Sequence, residues 1–403
     1  MSAKIGIYIT GLGQSFHKES IEKYAVRIKN ELSYTTTGVQ YDIKSEKIMY
    51  TNSKESTCVS IEKKQNGITE TLYKIYDFQY HSILTERFNQ KNILTKSLIL
   101  IALVVKKFPQ LFIRMFKSDN FSRPYQTFYG FLILFIIALS ILFLLPACID
   151  LFFDVSIVAG IKDILKFLHV KEDYSNELGW IKDFGKDLVP VLTFILLIVP
   201  ESKTILTSMA TEFVCVDRYI RNGEQSQIVQ GNLDLLIEYI TEIEPGSKIH
   251  FHCYSFGCIL AIDHLFSLGT EPNRNTIQSS ELLITIGNPY EFVRAYYPPF
   301  FKRRCKIMDD KISWINIYST ADALATNFRR DSKRGEAQFG IIDNHLVPSN
   351  INFEVAYDRS IGLGFFSLYS ISVHKRYWDS SPDGKNCMKP VLDYMLTKGY
   401  IQN

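Results

Sequence analysis

Pro124 to Ile149 is a run of 26 residues without one charged side chain. Its centre reads Phe131-Leu132-Ile133-Leu134-Phe135-Ile136-Ile137. About 20 apolar residues in a helix cross the hydrocarbon core of a bilayer. A buried helix of a soluble domain rarely stays uncharged for so long, so a membrane span is expected here. The segment before it alternates Lys106, Lys107, Arg114 and Lys117 with Phe108, Leu111, Phe112, Ile113 and Phe116. That pattern suits a helix lying on an anionic membrane surface.

The flanking chain has a different character. Lys4 to Ile9 is apolar and strand-like, runs into Thr10-Gly11-Leu12-Gly13, and is followed by a helical pattern over Ile21 to Leu32. Residues 38 to 80 alternate polar and apolar, with turn signals such as Gln65-Asn66-Gly67, and read as successive strands. After residue 210, Ile228 to Ile243 carries Leu233, Leu236, Ile237 and Ile240 on one helical stripe. Strand and helix then alternate, which indicates an α/β fold with a mostly parallel sheet. The 403 residues suffice for two ordinary domains, or for one large domain with an insertion.

The near balance of 45 basic and 42 acidic residues gives no case for a nucleic-acid partner. The seven cysteines show no C-x-x-C pair and no regular spacing, so neither a disulfide framework nor a metal site is expected. No phosphate-binding loop, dinucleotide fingerprint or H-E-x-x-H helix occurs, and no cofactor is expected.

Chemistry concentrates in Lys248 to Asp263. Ile249-His250-Phe251-His252-Cys253 alternates as a short strand, and Gly257, Cys258, Ala261 and Ile262 follow at helical spacing. Ser255 sits between them, with glycine two residues on. A strand that breaks sharply into a helix thrusts such a hydroxyl clear of the backbone and leaves helix N-terminal amides beside it.

The stretch resembles the nucleophile elbow of the α/β-hydrolases, G-x-S-x-G, with Cys253 in the place of the first glycine. Thr10-Gly11-Leu12-Gly13 is similar to the family's glycine loop after an early strand, with threonine where histidine is usual. The resemblance implies oxyanion donors at the Leu12 and Phe256 amides. It also implies an acid and a histidine after Ser255, each on a loop that follows a strand. Ser313 to Tyr318 reads as a strand leading to Asp322, and His374 lies in an H-x-x-Y context with Tyr377. These give Ser255 as nucleophile, His374 as base and Asp322 as orienting acid. His345 beside Asp343 is the competing base, and Asp343 and Asp358 are the competing acids. His264, on the helix after the elbow, is expected to be structural.

If the strands before residue 95 share a sheet with Ser255, the chain crosses the membrane an even number of times. Leu188 to Pro200 has only 13 uncharged residues, and extending it to about residue 209 supplies the second span. The basic residues before the first span place the hydrolase halves in the cytosol. The expected organisation is 1–95 as the first part of a hydrolase sheet, and 96–210 as a helical membrane insertion with spans at about 125–149 and 188–209. Residues 211–403 complete the catalytic part, with helices on both faces of the sheet. The expected function is a membrane-anchored serine hydrolase acting on lipid or acyl esters. Its rival is an inactive membrane interaction module of the same fold, favoured by the substitutions at Cys253 and Thr10.

Overall fold

The structure is a computed structural model that describes residues 4–12, 20–36, 38–116, 202–221, 223–322, 324–331, 333–341, 346–354, 373–374, 376–379 and 381–401. The expected span at 125–149 lies outside the described residues, as do 188–201 of the second. Among the described residues, no helix is long and apolar enough to cross a membrane.

β1 (Lys4–Ile9) leads to helix α1 (Ile21–Thr35). Strands β2 (Gln40–Thr51), β3 (Lys54–Gln65) and β4 (Ile68–Asp77) follow, then helices α2 (His81–Asn89) and α3 (Ile93–Phe116). The next described elements are helices α4 (Ser202–Arg221) and α5 (Glu224–Ile243), β5 (Lys248–Tyr254) and α6 (Phe256–Leu265). α7 (Arg274–Ser279), β6 (Ser280–Ile286), α8 (Tyr290–Tyr296), β7 (Ser313–Tyr318), β8 (Ser349–Asn352) and α9 (Met388–Thr397) complete the order. The chain divides into two compact units. One holds Met1–Ile83 and Tyr219–Asn403 with the sheet; the other holds Leu84–Phe112 and ends at Arg218. The expected boundaries at 95 and 210 fall inside α3 and α4.

The eight strands form one sheet in the order β2-β3-β4-β1-β5-β6-β7-β8. Only β3 opposes its neighbours; the remaining pairings are parallel. The fold is therefore α/β with a mostly parallel mixed sheet. β1 lies at its centre because it is short, apolar and buried along nearly its whole length.

Helices cover both faces. Alternation sends Tyr8, Tyr73, Ile75, Tyr254, Leu282, Ile284, Ile315 and Ile317 to one face, where α1 and α9 close the core. α1 presents Ile21, Tyr24, Ala25, Ile28 and Leu32 at helical spacing and is capped by Ser20, whose Oγ accepts from the Lys23 amide at 3.4 Å. On the other face, the His264 ring of α6 lies 6.4 Å from Phe251, and its Nδ1 is 2.9 Å from Gln230 Oε1 of α5.

A buried polar chain crosses the α1 face. Tyr24 Oη is 2.8 Å from His252 Nδ1, and Tyr73 Oη is 2.8 Å from both His252 Nε2 and His250 Nδ1. His250 Nε2 is 2.9 Å from Glu281 Oε2, which also takes Lys4 Nζ at 2.7 Å. One direction satisfies every atom. The Glu281 carboxylate can only accept, so His250 Nε2 donates and its Nδ1 takes the Tyr73 proton. Tyr73 Oη then accepts from His252 Nε2–H, and Tyr24 donates to His252 Nδ1. Both imidazoles are neutral in this arrangement. Burial holds His252 down at about 3, with His250 adding to the effect, and burial also lowers His250. Burial alone would raise Glu281, but hydrogen bonds from His250 and Lys4 overcome it and hold that carboxyl at about 2.

The sign of the pH effect follows. An unfolded histidine takes up its proton near pH 6.5, whereas folded His252 does so near 3. The unfolded state binds more protons between those values. The contribution is complete above pH 6.5 and is lost as pH falls towards 3, at up to about 1.4 kcal/mol per pH unit for each such histidine. The thermal midpoint of the full chain is therefore expected to fall from pH 7 to pH 4. The His250→Gln/His252→Gln double variant should show a visibly shallower slope. An unchanged slope in that variant would place the acid sensitivity elsewhere.

Candidate active site

Parallel strands in register end together. Ile9 of β1 pairs with Cys253 of β5, Tyr254 of β5 with Ile286 of β6, and Ile286 with Ile317 of β7. The segments after these strands, Thr10–Leu12, Ser255, Gly287 and Ser319–Asp322, thus emerge at one edge of the sheet. That carboxyl edge is where open α/β sheets place their sites.

Ser255 occupies the single residue between β5 and α6. Its backbone has φ 51° and ψ −124°, a conformation that costs a non-glycine residue about 1–3 kcal/mol. Two hydrogen bonds hold it there: the Ser255 amide donates to Ile286 O at 2.9 Å, and the Cys258 amide donates to Ser255 O at 3.0 Å. The turn presses the start of α6 against the end of β1. A Cβ on Gly257 would lie 2.3 Å from Ile9 O and 2.6 Å from Thr10 O. The position that cannot accept a side chain is therefore 257. Cys253 is ordinary strand, buried beside Ile9 and Thr285, and its thiol is accommodated. Burial raises the Cys253 and Cys258 thiols, the former well above its usual range, and both stay protonated beside the serine.

The three residues singled out in the sequence meet here. His374 Nε2 is 2.7 Å from Ser255 Oγ, and His374 Nδ1 is 2.7 Å from Asp322 Oδ2. Asp322 and His374 are buried, whereas Ser255 is half-buried. With Asp322 as a carboxylate, His374 carries its proton on Nδ1 and presents the Nε2 lone pair to the serine hydroxyl. Asp322 Oδ1 accepts from the Leu324 amide at 2.8 Å.

Two tyrosines complete the arrangement. Tyr377 Oη is 2.9 Å from Asp322 Oδ2 and accepts from the Ser319 amide at 3.1 Å, so its own proton goes to the carboxylate. Burial, reinforced by Asp322, holds the Tyr377 hydroxyl well above its usual range, so it remains a donor. Tyr254, the residue before the serine, stacks on the His374 ring with centroids 5.6 Å apart and donates to the His374 carbonyl. The H-x-x-Y spacing marked Tyr377 without giving its role. Nothing in the sequence distinguishes Tyr254 from a core aromatic. Gly287 makes room for the histidine: its φ is +59°, and a Cβ there would meet His374 Cε1 at 3.1 Å and Tyr377 Cε2 at 3.0 Å.

Phe256 is the first residue of α6, so its amide is one of the donors a helix leaves unpaired at its N-terminus. Leu12 is buried, and its neighbour Gly11 borders the serine, a Cβ there lying 2.8 Å from Ser255 Cβ. His264 is bound to Gln230 and lies 3.1 Å from Thr276 Oγ1, away from the serine, and burial lowers it to about 4. His345, Asp343 and Asp358 lie outside the described residues. Among the described residues, no group of three His, Cys, Asp or Glu could hold a metal ion. Comparison with protein-family models, curated proteins and solved structures finds no match for this chain.

The packing at the elbow separates two glycines of similar helical context. Gly257→Ala must push α6 off β1 and is expected to destabilise the fold by roughly 1–3 kcal/mol or more. A Cβ on Gly231, in α5, would meet nothing within 4 Å. Gly231→Ala should therefore stabilise by about 0.5–1 kcal/mol. Paired thermal unfolding measurements check both signs; equal effects would contradict the close approach.

Proposed function

We propose that the chain is a serine hydrolase of α/β-hydrolase type, anchored in a membrane and cleaving ester bonds, with lipid or acyl esters as the substrate class. The observation that carries the reading is the His374 imidazole, hydrogen-bonded at 2.7 Å to Ser255 Oγ on one side and at 2.7 Å to Asp322 on the other. The chain order serine, acid, histidine, the strained serine between strand and helix, and the position of all three at the carboxyl edge support it.

In this mechanism Ser255 Oγ attacks the ester carbonyl carbon while His374 Nε2 takes the hydroxyl proton. The Phe256 and Leu12 amides stabilise the oxyanion. The tetrahedral species collapses, the C–O bond to the alcohol breaks, and the imidazolium returns the proton to the leaving oxygen. Water, deprotonated by His374, then attacks the acyl-enzyme and releases the carboxylic acid and free Ser255. Asp322 orients the imidazole and stabilises its cation, and Tyr377 fixes Asp322. The lipid substrate class follows from proximity: a catalytic unit held at a bilayer by spans at about 125–149 and 188–209 meets esters there. The membrane part rests on the sequence, with the charge bias placing the hydrolase halves in the cytosol.

The test is fluorophosphonate labelling and short-chain aryl ester hydrolysis by the detergent-solubilised full chain. Ser255→Ala, His374→Ala and the double variant should all lose on the order of 10⁴-fold in turnover, because the pair acts as a unit. Asp322→Asn should lose less than Ser255→Ala, and His345→Ala should be nearly silent. Thermal midpoints measured alongside separate lost chemistry from lost fold. Wild-type turnover in Ser255→Ala overturns the nucleophile, and a folded wild-type chain that neither labels nor turns over favours the inactive module instead.

A further inference from the structure

The two expected oxyanion donors come from separate parts of the chain. The Leu12 amide belongs to the loop after β1, and the Phe256 amide to the first turn of α6. The pairing of β1 with β5 stops at Ile9 and Cys253, before either of them. An oxyanion gains from donors that are already aimed at it. What holds the Thr10–Leu12 loop against α6 therefore bears on the rate.

Tyr80 reaches both parts. Past the register of Tyr8 with Asp77, the ladder between β1 and β4 gains one more backbone bond, from the Phe78 amide to Tyr8 O at 2.9 Å. There the two backbones part. Two residues further along each, the Tyr80 hydroxyl donates to Thr10 O at 2.7 Å. A side chain thus continues the pairing that the backbone gives up. The carbonyl it holds also faces the elbow, because a Cβ on Gly257 would lie 2.6 Å from Thr10 O. A peptide group is planar and trans, so fixing the Thr10 carbonyl fixes the Gly11 N–H on the opposite side. Gly11 and Leu12 then leave that peptide in one set direction.

The ring of Tyr80 meets the other donor. Its centroid lies 6.5 Å from that of Phe256, and it stacks on Phe78 at 6.2 Å. Tyr219 of α4 meets Phe256 edge-on at 5.6 Å, and its hydroxyl donates to Asp263 of α6 at 2.6 Å. Tyr80, Phe256 and Tyr219 are all buried. A phenylalanine at 80 would supply the ring contacts equally well. The hydroxyl is what binds the Thr10 carbonyl.

We propose that Tyr80 is a positioning residue for the oxyanion hole. Its hydroxyl sets the Thr10–Leu12 loop and its ring backs Phe256, so that the Leu12 and Phe256 amides converge before substrate arrives. The assignment rests on the reading of Ser255 as nucleophile. It concerns the charge that develops on the carbonyl oxygen, and leaves the proton transfers to His374.

The experiment uses the detergent-solubilised full chain and two short-chain aryl substrates, an ester and the thionoester in which sulfur replaces its carbonyl oxygen. Sulfur is a weak hydrogen-bond acceptor, so donors aimed at the oxyanion favour the ester. The ratio of the two kcat/KM values reads how well they are aimed. Tyr80→Phe keeps the ring and removes the donor, and the loss of one hydrogen bond leaves the fold standing. For the ester, kcat should fall roughly 10- to 100-fold and KM should stay within about twofold, because the interaction lost is one made in the transition state. The ester-to-thionoester ratio should fall as well. Both rates scale equally with the folded fraction, so the ratio holds even where the variant is less stable. Tyr400→Phe is the control. It removes a tyrosine hydroxyl that donates to Ser313 Oγ at 2.5 Å, at the opposite end of β7 from the site, and its ratio should match wild type.

Wild-type kcat and ratio in Tyr80→Phe overturn the proposal. A loss shared equally by ester and thionoester also overturns it, because the hydroxyl then serves the fold or the base and not the oxyanion. A ratio lowered as far by Tyr400→Phe does the same. The serine reading fails differently: a folded wild-type chain that neither labels with fluorophosphonate nor turns over either substrate overturns that reading, and this assignment with it. A wild-type chain that labels and turns over beside an unaltered Tyr80→Phe overturns this assignment alone.

Discussion

The first turn of α6 lies on the last residues of β1, backbone against backbone. Gly257 faces the carbonyl oxygens of Ile9 and Thr10 at distances no side chain could occupy. That contact determines where the elbow sits, and the elbow determines the rest of the site. It carries Ser255 to the level of Gly11 and leaves the amide of Phe256 facing the same edge. It also relocates the steric demand of the G-x-S-x-G pattern. Here the indispensable small residue is Gly257, two residues after the serine, because the approach is between α6 and β1. Cys253, flat in β5, faces a side-chain layer that has room for it.

The strain at Ser255 is sustained by groups that are themselves over-determined. Tyr254 is bound to the His374 carbonyl and stacked on its ring, and Trp378 lies 4.8 Å from Tyr254. Tyr377 joins the Ser319 amide to Asp322. Each hydrogen bond contributes on the order of 1 kcal/mol, and together they are comparable to the roughly 1–3 kcal/mol of one unfavourable backbone conformation. The same logic applies two residues earlier in β5. His252 and His250 tolerate full burial only because Tyr24, Tyr73 and Glu281 satisfy every ring nitrogen in one consistent direction.

What the sequence discloses depends on how local the physics is. β7 spans Ser313–Tyr318 as its alternation indicates, and Asp322 follows directly. The edge strand β8, Ser349–Asn352, is less apparent because it is polar: Asn350 Oδ1 accepts from Asn316 and Asn352 Oδ1 from the Thr320 amide. The alternation Ile249-His250-Phe251-His252 reads as one buried and one polar face, but both faces are buried. Tyr24 and Tyr73, 228 and 179 residues from His252 in the chain, decide that, and no local pattern records them. Ser255, Asp322 and His374, which the structure brings within hydrogen-bond distance, are singled out in the sequence by the resemblance to the hydrolase pattern. The tyrosines that hold them act through tertiary geometry alone.

The order of strands explains how the sheet accommodates a long excursion. β4 and β5 both pair with β1, one on each side, although residues 78–247 separate them in the chain. Closing a flexible loop costs only about 0.6 kcal/mol more for each doubling of its length. The hydrogen bonds of β1 to both neighbours are formed whatever the intervening segment does. Phe78 donates its amide to Tyr8 O at 2.9 Å, so the last point before the departure is tied to the central strand. On the return side, Ser247 donates to Glu244 O at 3.1 Å and Lys74 pairs with Glu244, which fixes the entry to β5 against β4. The ends of the excursion are thus anchored beside β1 independently of its content. A long segment with a charge-free run can be carried between them without altering the register that brings Ser255, Asp322 and His374 together.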